Sequence, residues 1–249
     1  MTNLQVLQTA LNQGRALKII SGLNNRDADR VAAVVRAADQ GGANFVDIAA
    51  DPNLVRLAKQ LTDLPICVSA VEPEAFVTAV EAGADLIEIG NFDSFYVQGR
   101  RFEAEEVLAL THATRQLLPQ IMLSVTVPHI LTLDHQVQLA EELVKAGADI
   151  IQTEGGTSSQ PTHSGTIGLI EKATPTLAAA YEIARAVQVP VLCASGLSNV
   201  TAPLAIAAGA AGIGVGSAVN QLNSEVAMIA VVRSLVEALA TVQRPTVLA

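Results

Sequence analysis

One phrase returns four times along this chain: a small-residue turn built around glycine, then a short apolar run. Gln40-Gly41-Gly42-Ala43-Asn44 leads into Phe45-Val46-Asp47-Ile48, and Glu81-Ala82-Gly83-Ala84-Asp85 leads into Leu86-Ile87-Glu88-Ile89. Lys145-Ala146-Gly147-Ala148-Asp149 precedes Ile150-Ile151-Gln152, and Ala208-Gly209-Ala210-Ala211-Gly212 precedes Ile213-Gly214-Val215. A glycine that stops a helix, followed at once by a buried strand, is the junction of a βα array. Its repetition narrows the choice of fold more than any bulk property does.

Run length and punctuation place strands near 16–22, 43–50, 65–70, 84–91, 120–127, 148–154, 190–195 and 212–218, with amphipathic helical stretches between them. Asp51-Pro52, Glu72-Pro73 and Thr174-Pro175 each set a proline at a first helical position behind a polar residue. Asp134 is placed to cap the helix that runs to Lys145. Eight βα units with right-handed crossovers close into an α/β fold of the (β/α)8 TIM-barrel type. The expectation is one domain over residues 1–249, with an extra N-terminal helix from Asn3 to Asn12 covering the lower mouth. A doubly wound open sheet is the competing arrangement. Leu64-Pro65-Ile66-Cys67-Val68-Ser69-Ala70 also echoes Val189-Pro190-Val191-Leu192-Cys193-Ala194-Ser195, as in a barrel of two similar halves.

Composition supports this choice. Half of the residues are hydrophobic, while aromatics are scarce and Trp is absent. The core is therefore aliphatic, which suits parallel strands covered by helices on the outside. A net charge of −9 argues against nucleic acid or an anionic membrane surface as partner. It still allows a phosphate held by backbone N–H groups. Cys67 and Cys193 each lie in an apolar strand-like run and read as reduced thiols. The polar start of the chain has no secretion-signal pattern. Thr201 to Val219 is long enough and apolar enough to suggest a membrane span, but its proline and glycines divide it into a short helix and a strand.

In a barrel of this kind the chemistry sits at the C-terminal ends of the strands. Lys18 lies between Leu17 and Ile19, Asp47 between Val46 and Ile48, and Glu88 between Ile87 and Ile89. Alternation points all three inward. They are either a buried ion pair filling the interior or an acid/base group with shifted pKa values, and Lys18 is also placed to form a Schiff base. Gln152 and Glu154 share one face of the sixth strand; Ser124 and Thr126 share one face of the fifth and read as structural. Strand seven ends in Ser195-Gly196, and strand eight in Gly214-Val215-Gly216-Ser217. Loops at these two places commonly cradle phosphate in such barrels, with glycines letting the amides approach the anion. The alternative is that these glycines only permit tight turns.

The loop from Gly155 to Ala173 is long, carries Gly156, Thr157, Ser158, Ser159, Gln160 and Gly165, and offers His163 as a proton carrier or flavin contact. No metal site is expected, because His129 and His135 have no acidic pair beside them at ligand spacing. Phe92, Phe95, Tyr96 and Phe102 gather after strand four beside Arg100-Arg101 and read as a lid, an oligomer contact or simple loop packing.

The run Leu11-Asn12-Gln13-Gly14-Arg15-Ala16-Leu17-Lys18-Ile19-Ile20-Ser21-Gly22-Leu23-Asn24-Asn25, with Phe45-Val46-Asp47-Ile48-Ala49-Ala50-Asp51, resembles a reading-frame family of cyanobacteria and algal plastid genomes. That resemblance implies a cyanobacterial cytoplasm or plastid stroma and a barrel of the phosphate-binding superfamily, and carries no activity with it. Glu154-Gly155-Gly156, His163, Ala194-Ser195-Gly196 and Gly214-Val215-Gly216-Ser217 also resemble flavin-linked nitronate monooxygenases, although Glu154 and His163 stand farther apart than in that family. This second likeness implies FMN, its phosphate on the last two loops.

Three functions follow as expectations. The first is an isomerase or lyase of a small phosphorylated compound, with Lys18, Asp47, Glu88 and Glu154 handling protons and Ser195, Gly196, Gly214, Gly216 and Ser217 holding the phosphate. The second is an FMN oxidoreductase using the same cradle. The third is a non-catalytic binding barrel with the aromatic loop as contact surface.

Overall fold

The computed structural model describes residues 2–155 and 159–242, so the expectations on Gly156, Thr157 and Ser158 lie outside the described residues. Eight parallel strands, β1 (Ala16–Ile20), β2 (Phe45–Ala49), β3 (Ile66–Ala70), β4 (Leu86–Ile89), β5 (Met122–Thr126), β6 (Ile150–Gln152), β7 (Val191–Ala194) and β8 (Gly212–Val215), close in sequence order into a barrel. The open sheet is thereby excluded. Each strand falls inside its predicted span but is one to three residues shorter at one end or both, because the strand termini peel away into loops.

The helices are α1 (Asn3–Asn12), α2 (Ala28–Gly41), α3 (Pro52–Leu61), α4 (Pro73–Glu81), α5 (Asp93–Tyr96) and α6 (Ala104–Leu117). They continue with α7 (Leu133–Lys145), α8 (Gly165–Ala186), α9 (Ala202–Ala207), α10 (Ser217–Asn220) and α11 (Glu225–Ala240). Local chemistry explains several boundaries. Asp51 caps α3, its carboxylate accepting from the amides of Asn53 and Leu54, with Pro52 in the first turn. Gly42 ends α2 at φ 89°, a backbone conformation that glycine adopts at little cost.

Two boundary expectations are corrected. The cap position of α7 is Thr132, and Asp134 lies inside the first turn. Pro175 does not open a helix: α8 begins at Gly165 and carries Pro175 in its interior. The carbonyl that would take the missing N–H is that of Glu171, and it accepts from Ser159 Oγ at 3.3 Å. The long loop after β6 is correspondingly shorter than expected.

Alternation along each strand divides the core in two. Outward residues such as Leu17, Ile19, Val46, Ile48, Ile87 and Ile151 pack against the helices. The lowest inward residues, Ala16, Phe45, Cys67, Leu86, Ile150 and Leu192, pack with Leu7, Ala10 and Leu11 of α1, which plugs the lower mouth as expected. The stretch 201–219 is divided into α9, β8 and α10, and no described helix is long and apolar enough to cross a membrane.

The seam that closes the barrel sets Gly212 of β8 against Ala16 of β1. A Cβ on Gly212 would stand 2.3 Å from the Ala16 carbonyl oxygen. Gly212→Ala is therefore expected to cost about 1–3 kcal/mol by overpacking, read as a lower urea midpoint; an unchanged midpoint would refute the close approach.

Candidate active site

Above the apolar plug the interior turns polar. Lys18 Nζ donates to Glu88 Oε2 at 2.6 Å, and Ser124 Oγ donates to the same oxygen at 2.8 Å. Gln152 Nε2 donates to Glu88 Oε1 at 2.7 Å and to Thr126 Oγ1 at 3.2 Å. Asp47 Oδ1 accepts from Ser69 Oγ at 2.6 Å, and Asn91 Nδ2 donates to that hydroxyl at 3.1 Å. Lys18, Asp47 and Glu88 are all fully buried.

Electrostatics in this layer follow from burial and charge count. Burial opposes the ammonium of Lys18, but Glu88 and Asp47 outweigh it and leave the pKa raised. Burial, helped by Glu88 and opposed by Lys18, pushes Asp47 up to about 7. Its Oδ2 is buried with no hydrogen-bond partner. One cation thus serves two carboxyl groups, and Asp47 is the less well satisfied of them.

Over this layer opens a cleft of about 220 Å³ at the C-terminal ends of the strands, as the fold requires. Thr126 and Gln152 lie at its base, where Gln152 Oε1 is buried without a partner. One wall is built by Ser195 and Gly196 after β7 and by Gly214, Gly216 and Ser217 at β8 and the start of α10. Ser195 sits at φ 79° and Asn91, across the cleft, at φ 63°. Non-glycine residues in this left-handed region are costly and cluster at functional sites. Gly214 has a packing reason of its own, since a Cβ there would lie 2.9 Å from Ala194 Cβ. Gly196, at φ 72°, also passes close to α8, with the Lys172 carbonyl oxygen 2.7 Å from a would-be Cβ.

The other wall carries Asp93 and Glu154, which with His129 behind them form a cluster from three loops. Asp93 opens α5, His129 follows β5, and Glu154 follows β6. His129 Nε2 is 2.9 Å from Asp93 Oδ1, and Ser195 Oγ donates to Asp93 Oδ2 at 3.3 Å. Glu154 Oε1 accepts from Tyr96 Oη at 2.9 Å and from the His129 amide at 3.2 Å. Burial, with the charge of Asp93 beside it, pushes the Glu154 carboxyl up to about 8, against the pull of these hydrogen bonds. The Tyr96 hydroxyl is pushed up too, by burial and by Glu154.

The expected site residues separate into two levels. Lys18, Asp47 and Glu88 come together in the closed layer, whereas Glu154, Ser195, Gly196, Gly214, Gly216 and Ser217 all line the cleft above. His163 stands outside that lining, exposed, with Nδ1 2.6 Å from Glu171 Oε1. The expectation that His129 has no acidic pair near it is corrected: donor atoms of Asp93, His129 and Glu154 lie within 4.8 Å of one another. The pair comes from distant loops, so local spacing cannot reveal it. The aromatic residues after β4 are mainly packing, with Phe92 and Phe102 fully buried and their ring centroids 4.5 Å apart. Tyr96 is the member that hydrogen-bonds a cleft residue, Glu154. Sequence reasoning overlooked Asp93 and Asn91 altogether; their place just beyond β4 was the available signal.

A family model described as "Protein of unknown function (DUF561)" matches residues 1–244. The "Uncharacterized protein ycf23" of Cyanophora paradoxa is 48% identical over 220 residues, covering 88% of this chain and 90% of its own length. Among solved structures, (S)-3-O-geranylgeranylglyceryl phosphate synthase from Thermoplasma acidophilum, in complex with its substrate sn-glycerol-1-phosphate, aligns with a TM-score of 0.63 at 15% identity, over 97% of this chain and 100% of that one. A 3-hexulose-6-phosphate synthase aligns with a TM-score of 0.63 at 17% identity, over 90% of this chain and 99% of that one. At such identities the likeness is one of fold.

Proposed function

The chain belongs to this DUF561 family of unknown function, and from the chemistry of its cleft we propose that it is an isomerase- or lyase-type enzyme acting on a small phosphorylated compound. The observation that carries the reading is the pairing of two unlike walls across one small cleft. The amides of Val219 and Asn220 donate to the Gly216 carbonyl, and those of Ser217 and Ala218, in the turn that follows Gly216, are the ones we assign to the phosphate. Ser195, Gly196, Gly214 and Ser217 complete that wall. Loops seven and eight with a short extra helix are the usual phosphate station of this barrel. The names of the two synthases of the same fold, both of phosphate esters, support the assignment.

Facing the phosphate, Glu154 is the group that takes and returns a proton. A carboxyl poised near neutrality is suited to both directions of transfer. Lys18, Glu88 and Asp47 act from beneath by holding Gln152 and, through Ser69, Asn91. A cleft of about 220 Å³ lies below the roughly 300–1,000 Å³ of drug-sized sites, which suits a compact ester. The resemblance to cyanobacterial and plastid reading frames supports the cyanobacterial cytoplasm or the plastid stroma as its setting.

The test is a calorimetric and thermal-shift screen of inorganic phosphate and small phosphorylated metabolites against the wild type and Ser217→Asp. Binding by the wild type and its loss, by at least tenfold, in the variant is the expected result. No binder in the series, or equal binding by both proteins, would overturn the reading.

A further inference from the structure

The charge inventory of the cleft is at odds with an anionic ligand. Two carboxyl groups, Asp93 and Glu154, line it, and none of the described lining residues is Lys or Arg. Residues 156–158 add no cation either, being Gly, Thr and Ser. Lys18 is committed to Glu88 below, and Lys172 packs behind Gly196, outside the lining. A phosphate dianion entering this space would face the carboxylate of Asp93, and that of Glu154 once it ionises, with main-chain amides as its main attraction. Placing like charges together in a partly buried site is costly unless a counter-charge is supplied.

The same acidic groups stand where a counter-charge is best held. The donor atoms of Asp93, His129 and Glu154 fall within 4.8 Å of one another. Two ligand atoms each about 2.1 Å from one cation, subtending a right angle, lie about 3 Å apart. His129 Nε2 and Asp93 Oδ1 are 2.9 Å apart as an ion-pair contact, which is also that separation, so a cation would take the place of the proton between them. The His129 side chain is only 6% exposed and Glu154 is 5% exposed, so two of the three donors are already desolvated and fixed. Tyr96 Oη and the His129 amide hold Glu154 from behind as outer-sphere partners do. One imidazole with two carboxylates suits a divalent cation of the Mn²⁺ kind, and three protein ligands leave coordination positions open toward the cleft.

We propose that Asp93, His129 and Glu154 form a divalent-cation site, and that the phosphorylated ligand is taken up facing that cation. The ligand half of this proposal rests on the function proposed above; the cation half stands on the cluster alone. With the cation in place Glu154 is a ligand and its proton is displaced, so in the cation-loaded protein the proton exchange proposed above requires Glu154 to release the cation.

The probe is Mn²⁺, followed by loss of the free-ion electron paramagnetic resonance signal, with circular dichroism to check folding. The wild type is expected to take up one equivalent. Asp93→Asn and His129→Gln are each expected to weaken uptake at least tenfold, with Glu171→Gln, on α8 outside the cleft, as unaffected control. Absence of uptake by the wild type, or equal uptake by both variants, would overturn the site. Inorganic phosphate is then titrated with and without Mn²⁺, and at least tenfold tighter binding with Mn²⁺ is expected. Phosphate binding that Mn²⁺ leaves unchanged refutes the cation's role while sparing the phosphate cradle. Mn²⁺ uptake without phosphate binding, in either condition, refutes the cradle and leaves the cation site standing.

Discussion

Lys18→Met is expected to destabilise the protein by about 3–5 kcal/mol, the usual cost of removing one partner from a buried ion pair. The change leaves the Glu88 carboxylate fully buried with hydrogen bonds from Ser124 and Gln152 but no cation. It also removes the one cation that steadies Asp47, which already has an oxygen without a partner. Urea unfolding followed by far-UV circular dichroism reads the loss. The double variant Lys18→Met/Glu88→Gln removes the stranded charge, so most of the loss should return. A double variant no better than the single one would show that packing, not charge, carries the penalty. If Lys18→Met folds as stably as the wild type, the 2.6 Å contact to Glu88 is not a structural ion pair.

That outcome also tests what a pattern can say about a polar residue in a strand. Lys18, Asp47 and Glu88 are readable as inward-facing because each is flanked by aliphatic residues that must meet helices, and all three are fully buried in one layer. The glycine stops likewise mark real junctions: Gly42 ends α2 and Phe45 opens β2 within three residues. Alternation gives the face of a strand but not the height along the barrel axis. Whether an inward residue lies in the closed layer, like Glu88, or in the cleft, like Glu154, depends on strand stagger set by closure. Glu154 is readable as a site residue, but its grouping with Asp93 and His129 is not, for a further reason. Asp93, His129 and Glu154 come from three different loops, and only the closed barrel brings the ends of β4, β5 and β6 together. Pro175 shows the limit of a local signal: the dipeptide Thr174-Pro175 reads as a start, yet a tertiary donor, Ser159, lets α8 run through it.

Glu154→Gln is expected to stabilise the cation-free protein, by an amount that grows with pH. The Glu154 carboxyl is raised from 4.5 to about 8 in the folded state, by burial first and by Asp93 second. Below about pH 4.5 folded and unfolded chains both hold this proton, and the group adds nothing to the pH dependence. Between about 4.5 and 8 the unfolded chain has released it and the folded chain has not. Stability then falls as pH rises, and the fall levels off above 8, where both states are ionised. Glutamine keeps the acceptor oxygen for Tyr96 and the His129 amide while removing the charge from beside Asp93. With a chelator present, the stability gained by the variant should increase by about 2–4 kcal/mol between pH 5 and 9, from the size of a pKa unit. Paired denaturant titrations across that range measure it. A gain independent of pH would mean that Glu154 ionises normally and is not the strained group of the cleft. A pH-dependent gain would place stored electrostatic strain at the one cleft carboxyl best sited to act on a ligand, as expected where function is held against stability.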